Sequence, residues 1–244
     1  MKDASIMLKS ETKVKWYTFL SPVIWEIFVW LPIYAALKFF LRMEIHGQEN
    51  LKRVAFPYIL ASNHTSELDP VAIKAIFGPL PPFIPVFYVA RESSFYKKKG
   101  IQSFFYGGPF FELWGAFAAR VGANDYEVSL KTHIDILLLR KRSVMCVFPE
   151  GNKTRDGNLL PAKGGVAYLA TRTNTPIVPI AMDGVFKMTK KEFLLRKRKL
   201  VIVVGKPIYP DALFDGLSTT PGDCKKAAQR VIDTIARLLR KQFV

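Results

Sequence analysis

Two short polar runs contain the residues whose types and spacing could perform chemistry. The first, residues 63–70, reads Asn-His-Thr-Ser-Glu-Leu-Asp-Pro and places His64 five positions before Asp69. The second, residues 148–155, reads Phe-Pro-Glu-Gly-Asn-Lys-Thr-Arg and combines a carboxylate, a glycine and two cations. A histidine with a carboxylate partner can take the proton of a hydroxyl, and a glycine beside cations can hold a phosphate. Together the two runs predict a transferase that acts on the hydroxyl of a phosphate-bearing molecule.

Each polar run follows an apolar run that is typical of a buried strand, at residues 58–61 and 144–148. Polar groups at the ends of neighbouring strands indicate a site at one edge of a sheet. Further strands are predicted at 43–45, 86–90, 177–180 and 200–204, and helices at 71–77, 126–142, 163–172 and along an amphipathic C-terminal segment. Asp69 is expected to cap the first of these helices, with Pro70 at its first position. The alternation predicts an α/β fold with a mixed, largely parallel sheet flanked by helices.

Size and charge narrow the class of protein. A chain of 244 residues fits one large domain whose core needs no disulfide, and its net charge of +16 points to a nucleic acid, an anionic membrane or acidic ligands. Half of the residues are hydrophobic, which favours a membrane surface over a nucleic acid. The two cysteines lie far apart, and Cys146 is expected to be a buried thiol. No spacing of Cys and His residues resembles a metal site.

The N-terminal segment is strongly apolar and aromatic over residues 16–41, and no cleavage site for a secretory signal follows it. Its length would allow a membrane span, but Glu26 near the centre, the helix breakers Pro22 and Pro32, and lysines or arginines on both sides argue against one. We therefore expect a bent helical segment or hairpin in one leaflet, with both ends cytoplasmic; the alternative is a helix packed against the domain. Residues 1–41 would form this basic, membrane-associated part and residues 42–244 the motif-bearing domain.

The motifs resemble those of the glycerolipid acyltransferases typified by 1-acylglycerol-3-phosphate acyltransferase, over most of the chain after residue 42. Two blocks are specific, namely Asn63 to Asp69 and the Phe-Pro-Glu-Gly run that starts at Phe148. Two are looser: a Gly-rich stretch that ends in Arg120, and the strand at 178–180, which Lys163-Gly164-Gly165 precedes.

The resemblance implies roles for individual residues. His64 would be the general base that deprotonates the acceptor hydroxyl as it attacks a thioester, and Asp69 would orient the imidazole, as in a catalytic triad with substrate in place of serine. Histidines ordinarily change protonation near neutral pH, where a base is most useful. No acyl-enzyme is required, and Ser66 is expected to be a turn or capping hydroxyl. Glu150 and Gly151 would form part of the acceptor pocket, and the phosphate would bind to cations among Lys153, Arg155 and Arg120.

The chain departs from the family pattern at Lys153, where the family usually has arginine. Lysine binds phosphate as a point charge and cannot form the planar bidentate fork of arginine, so the departure leaves the reaction type intact and the acceptor open. The expected acceptor is 1-acylglycerol-3-phosphate, with another lysolipid, for example an amino-acid lysolipid, as an alternative. The donor would be acyl-CoA or an acylated acyl carrier protein, with no metal or other cofactor.

The expected setting is the cytoplasmic side of the cell membrane, with a monotopic or anchored attachment to membrane lipid and no nucleic-acid partner. The Gly/Pro-rich aromatic stretches at 77–83 and 104–111 could line an acyl tunnel or enter the membrane, and the basic run from Lys187 to Lys199 could attract anionic lipid or an acyl carrier protein. A non-catalytic protein that binds anionic lipid or nucleic acid, and a hydrolase that uses water as acceptor, are the competing functions.

Overall fold

A computed structural model describes residues 17–79, 84–91, 114–120, 125–214 and 220–240 of the chain. Within them, seven strands form one sheet. The strands are β1 (Glu44–His46), β2 (Tyr58–Ser62), β3 (Val86–Ala90), β4 (Ala116–Ala118), β5 (Val144–Val147), β6 (Ile177–Asp183) and β7 (Val201–Val204). Their order across the sheet is β1-β7-β6-β2-β5-β3-β4. All pairs are parallel except β6 with β7, so the predicted mixed, largely parallel sheet is confirmed.

The helices that accompany the sheet are α1 (Tyr17–Phe40), α2 (Asp69–Ala72), α3 (Tyr126–Ser129), α4 (Lys131–Leu139), α5 (Gly165–Thr173), α6 (Lys190–Leu194) and α7 (Pro221–Arg240). Short 3₁₀ turns occupy Gln48–Arg53, Ile73–Phe77 and Pro210–Ala212. Because alternate strand residues point to opposite faces, the sheet separates two cores. One contains Leu60 and Cys146 and is covered by α1, α2 and the turn that follows α2; the other contains Ile59 and Met145 and is covered by α4, α5 and α7.

Helix α1 is one continuous helix, so of the two expected forms, a bent helical segment or a hairpin, the hairpin is wrong. Its C-terminal half packs on the domain: Trp30 and Leu37 are buried, and the Trp30 indole N–H donates to the Gly78 carbonyl at 3.0 Å. This contact matches the alternative in which the helix packs against the domain. Leu31 is more than half exposed on another side of the helix, so α1 also presents apolar surface. No helix in the described part of the chain has the length and apolar character that crossing a membrane requires.

Several element boundaries differ from those predicted. Leu68, not Asp69, is the N-cap of α2, because the Asp69 side chain is engaged by the loop that precedes the helix. The predicted helix over 126–142 is divided at Leu130 and ends at Leu139. Strand β4 was not predicted, since three residues carry too little pattern to identify a strand. The boundary at residue 41/42 stays a prediction.

Candidate active site

The two polar runs meet at the carboxyl edge of the sheet, as predicted. β2 and β5 are parallel neighbours, with Ala61 beside Val147, so the residues that follow each strand emerge at the same edge. The imidazole of His64 stacks on the Phe148 ring, with centroids 4.2 Å apart. The N–H of Thr154 in the second run donates to the His64 carbonyl at 2.9 Å. The sheet topology therefore assembles one site from segments that are far apart in sequence.

His64 and Asp69 form a hydrogen-bonded pair. His64 Nδ1 lies 2.9 Å from Asp69 Oδ2, the histidine side chain is 17% exposed and the aspartate is fully buried. The same Oδ2 atom accepts the backbone N–H groups of Thr65 and Ser66. A buried carboxylate that accepts several N–H groups is held in place and kept as an acceptor.

This arrangement determines the tautomer of neutral His64. An ionised carboxylate can only accept a hydrogen bond, so Nδ1 must carry the proton that bonds to Asp69. The other ring nitrogen, Nε2, then holds a free lone pair. That is the state a general base needs, and the partial exposure of the ring leaves room for a substrate to approach.

Glu150 connects the two runs through backbone hydrogen bonds. Its Oε1 accepts the N–H of His64 at 2.8 Å, and its Oε2 accepts the N–H of Leu160 at 2.7 Å. The side chain is 2% exposed. Burial raises the pKa of the Glu150 carboxyl, and the two backbone N–H groups lower it by a smaller amount. Through these contacts Glu150 holds the loop that carries His64, and its predicted contact with the acceptor stays a prediction.

Asn63 holds the His64 loop from the other side. Its side-chain amide donates to the Met182 carbonyl and its amide oxygen accepts the Met182 N–H, both at 2.8 Å. The side chain thus extends the pairing of β2 with β6 past the end of the strand. The sequence offered no signal for this role, because Asn63 and Met182 lie 119 positions apart.

Gly151 occupies a position that suits only glycine. Its φ of +65° is in the left-handed region, and an added Cβ would lie 2.7 Å from Lys163 Cδ. Its carbonyl accepts Nη2 of Arg91 at 2.9 Å and Nε at 3.3 Å. Arg91, at the end of β3, and Lys163 were not among the predicted site residues, although both belong to the polar edge of the sheet.

The three predicted phosphate ligands have different surroundings. Lys153 forms an ion pair with the exposed side chain of Glu67, and the pair links the two motif runs. Arg155 is exposed, and no described carboxylate pairs with it. Arg120 follows β4, and its backbone is bound by Ser129, whose hydroxyl donates to the Arg120 carbonyl at 2.9 Å. Two strands separate β4 from β2, so Arg120 belongs to the same edge as His64 but not to its immediate contacts.

Ser66 has a structural role. Its hydroxyl accepts the N–H of Leu68 at 3.1 Å, which is the turn function expected of it. Among the described residues, no three Asp, Glu, His or Cys side chains lie close enough together to hold a metal ion.

The chain is similar to proteins of known family. The family model described as Acyltransferase matches residues 42–183. The chain is 28% identical to a chloroplastic 1-acyl-sn-glycerol-3-phosphate acyltransferase of Brassica napus over 70% of this chain and 46% of that protein. It is 26% identical to the 1-acyl-sn-glycerol-3-phosphate acyltransferase alpha of Mus musculus over 86% of this chain and 68% of that protein. The chain therefore spans about half the length of the plant relative.

A solved structure shares the fold. The 1-acyl-sn-glycerophosphate acyltransferase PlsC of Thermotoga maritima superposes with a TM-score of 0.54 at 19% identity, covering 87% of this chain and 80% of the other. The family model spans more than half of the chain and includes both motif runs. The resemblance noted from the motifs is therefore confirmed, and the chain belongs to the acyltransferase family.

Proposed function

We propose that this protein is an O-acyltransferase that moves a fatty acyl group from an acyl thioester to the free hydroxyl of a lysophospholipid, with 1-acylglycerol-3-phosphate as the acceptor. The observation that carries the proposal is the His64–Asp69 pair, oriented with Nε2 free at an accessible edge of the sheet. The named relatives support the choice of acceptor. Acyl-CoA and an acylated carrier protein both supply the required thioester.

The reaction follows from the geometry of the pair. His64 Nε2 takes the proton of the acceptor hydroxyl while that oxygen attacks the thioester carbonyl carbon. The tetrahedral intermediate then expels the thiolate, the new oxygen ester remains on the acceptor, and the imidazolium returns its proton to the sulfur. Asp69 stabilises the imidazolium during this sequence because its negative charge lies in hydrogen-bond contact with Nδ1.

A cleft beside the catalytic loop suits the apolar part of a substrate. It has a volume of about 590 Å³ and lies between Ser66–Leu68 and the segment that contains α6. Its walls include Met188, Phe193 and Leu194. An acyl chain in this cleft would lie next to the loop that carries the base. Of the two stretches expected to line an acyl tunnel, most residues lie outside the described part of the chain, and Phe77 packs on the core.

The proposal seats the protein on one leaflet of the membrane, with the active site on the cytoplasmic side. The outward surface of α1 supports this position, because Ile24, Leu31 and Phe39 are each more than half exposed while Trp30 is buried. Leu194 at the end of α6 is also exposed. The Arg196 guanidinium lies 4.3 Å from the centre of the Phe39 ring, so apolar and cationic groups occur side by side, as expected for a surface that meets anionic lipid.

Acyl transfer from a labelled acyl thioester to a panel of lysolipids tests this function. The wild-type protein should form the diacyl product, and His64→Ala should lower the rate by about 10²- to 10⁴-fold, the usual contribution of a general base. His46→Ala is a matched control, since His46 is an exposed histidine on β1, an outermost strand of the sheet that two strands separate from β2. Free fatty acid as the only product would indicate a hydrolase. Lipid binding without turnover, or transfer that is indifferent to His64, would contradict the proposal.

A further inference from the structure

Two cationic side chains converge on Gly151. The Arg91 guanidinium is hydrogen-bonded to the Gly151 carbonyl. Lys163 lies across the same residue: a Cβ added to Gly151 would be 3.0 Å from Lys163 Cε and 3.1 Å from its Nζ. With ordinary bond lengths around Gly151, Lys163 Nζ and Arg91 Nη2 are at most about 10 Å apart. The absence of a side chain at position 151 is what allows the lysine to occupy this place.

The backbone around Lys163 is fixed. The Lys163 N–H donates to the Pro149 carbonyl at 2.8 Å, which ties it to the run that contains Glu150. The next residue, Gly164, is buried so tightly that an added Cβ would meet the Tyr126 hydroxyl at 2.5 Å. The Lys163 side chain therefore extends from a fixed backbone position before α5, beside the run whose Glu150 bonds to the His64 loop.

The charge of Lys163 has no counter-charge among the described residues. None of the described carboxylates forms an ion pair with it, and both oxygens of the neighbouring Glu150 are used by backbone N–H groups. Lys153 differs, because the Glu67 carboxylate already contacts its ammonium. Lys163 is exposed, so an anion that enters the site can reach it.

We propose that the Lys163 ammonium binds the phosphate of the acceptor and gives the protein its preference for an anionic over a neutral acceptor. This inference rests on the proposed function and adds a specificity-determining residue to the site. Lys163 contributes a flexible point charge that binds the phosphate, and the acyl transfer proposed above is the same with or without it. The ligand chemistry is a phosphate group at the end of the acceptor. The hydrogen bond from the His64 N–H to Glu150 brings the loop that carries the base to this edge of the sheet, although the two residues lie 86 positions apart in the chain.

The test compares Lys163→Met, which keeps the aliphatic stem and removes the charge, with Lys163→Arg, which keeps the charge. Lys206→Met is the matched control, because Lys206 is an exposed lysine after β7, which runs antiparallel to β6 and so ends at the opposite edge of the sheet. KM and kcat are measured for 1-acylglycerol-3-phosphate and for the uncharged monoacylglycerol. The donor KM is measured in parallel with acyl-CoA.

Lys163→Met should raise the KM for the phosphate-bearing acceptor by about 10- to 100-fold, the usual effect of one charge-assisted contact, with kcat changed less than about threefold. The KM for monoacylglycerol should stay unchanged, Lys163→Arg should retain most of the affinity, and Lys206→Met should match the wild type. Equal losses for both acceptors, or equal losses for the Met and Arg variants, would overturn the inference. A rise confined to the donor KM would also overturn it, because Lys163 would then bind a phosphate of the donor.

A second experiment separates this inference from the proposed function. Calorimetry measures the affinity for 1-acylglycerol-3-phosphate and for monoacylglycerol without any acyl donor. If the wild type transfers no acyl group, the proposed function fails, yet the binding comparison still decides the role of Lys163. Binding of the phosphate-bearing lipid that is weakened by Lys163→Met and not by Lys206→Met supports it. Binding that is the same in all three proteins refutes it.

Discussion

Replacing Asp69 by asparagine should slow catalysis without changing the tautomer of His64. Asp69 Oδ2 accepts three donors: the His64 Nδ1–H and the N–H groups of Thr65 and Ser66. In Asp69→Asn, the side-chain oxygen is expected to keep this position, because an amide NH₂ placed there would face two fixed backbone donors. The hydrogen bond to Nδ1–H then survives, and only the negative charge is lost.

The loss can be estimated from the contact between the two charges. In the transition state the imidazolium and the carboxylate would lie about 4 Å apart, and at an effective dielectric constant of about 20 their attraction is about 4 kcal/mol. The amide dipole of asparagine recovers part of this energy, so the net loss should be about 2–4 kcal/mol. This corresponds to a kcat/KM that is about 30- to 1,000-fold lower.

Steady-state acyl transfer by the wild type, Asp69→Asn and His64→Ala measures this loss, with circular dichroism to show that each variant is folded. Asp69→Asn should fall between the other two proteins. A rate within threefold of the wild type would refute the stabilisation of the imidazolium by Asp69. A loss as large as that of His64→Ala would refute the tautomer argument, since it would mean that the amide had turned its NH₂ towards the histidine.

Two further predictions concern stability. Asn63→Ala should lower the free energy of unfolding in urea by about 2–4 kcal/mol, because the buried N–H and carbonyl of Met182 both lose their partner; a change below about 0.5 kcal/mol would contradict this role. Burial lowers the pKa of His133 to about 4, from about 6.5 in an unfolded chain. Below pH 6.5 the unfolded chain therefore binds a proton at His133 that the folded chain does not, so the contribution of His133 to stability should be complete above pH 6.5 and fall by about 3 kcal/mol towards pH 4. His133→Gln should remove that part of the pH dependence in urea unfolding, and an unchanged dependence would refute the assignment.

The sequence was informative where a physical signal is local. The runs that became β2, β3, β5 and β6 are short and rich in apolar and β-branched residues, and the structure places strands there. Because β2 and β5 are parallel, the convergence of His64 with the Phe148 run could also be predicted. The sheet and the meeting of the two polar runs were therefore accessible from pattern and spacing, whereas the roles proposed for His64 and Asp69 came from the resemblance of the motifs to a known family.

Other features depend on contacts between distant residues and leave no local signal. In the sequence Asn63 is part of the first motif, but its structural role depends on its hydrogen bonds with the backbone of Met182 on β6. Asp69 has the residue type and position of a helix cap, yet its carboxylate bonds to the loop before the helix, so the cap moves to Leu68. In the sequence Lys163 resembles an ordinary surface lysine, and only the structure shows that its side chain lies against Gly151.

The distance along the chain between the partners of the site has a consequence for folding during synthesis. His64 bonds to Glu150 across 86 residues and Asn63 bonds to Met182 across 119. Contacts of such long range form late and slowly, and the N-terminal part of a chain emerges from the ribosome first. The residues of α1 are therefore synthesised before Gly78, to which Trp30 bonds in the folded protein. During that interval the side chains of α1 that later pack on the domain, such as Trp30 and Leu37, lack their partners, so this segment is available to a chaperone or a lipid surface.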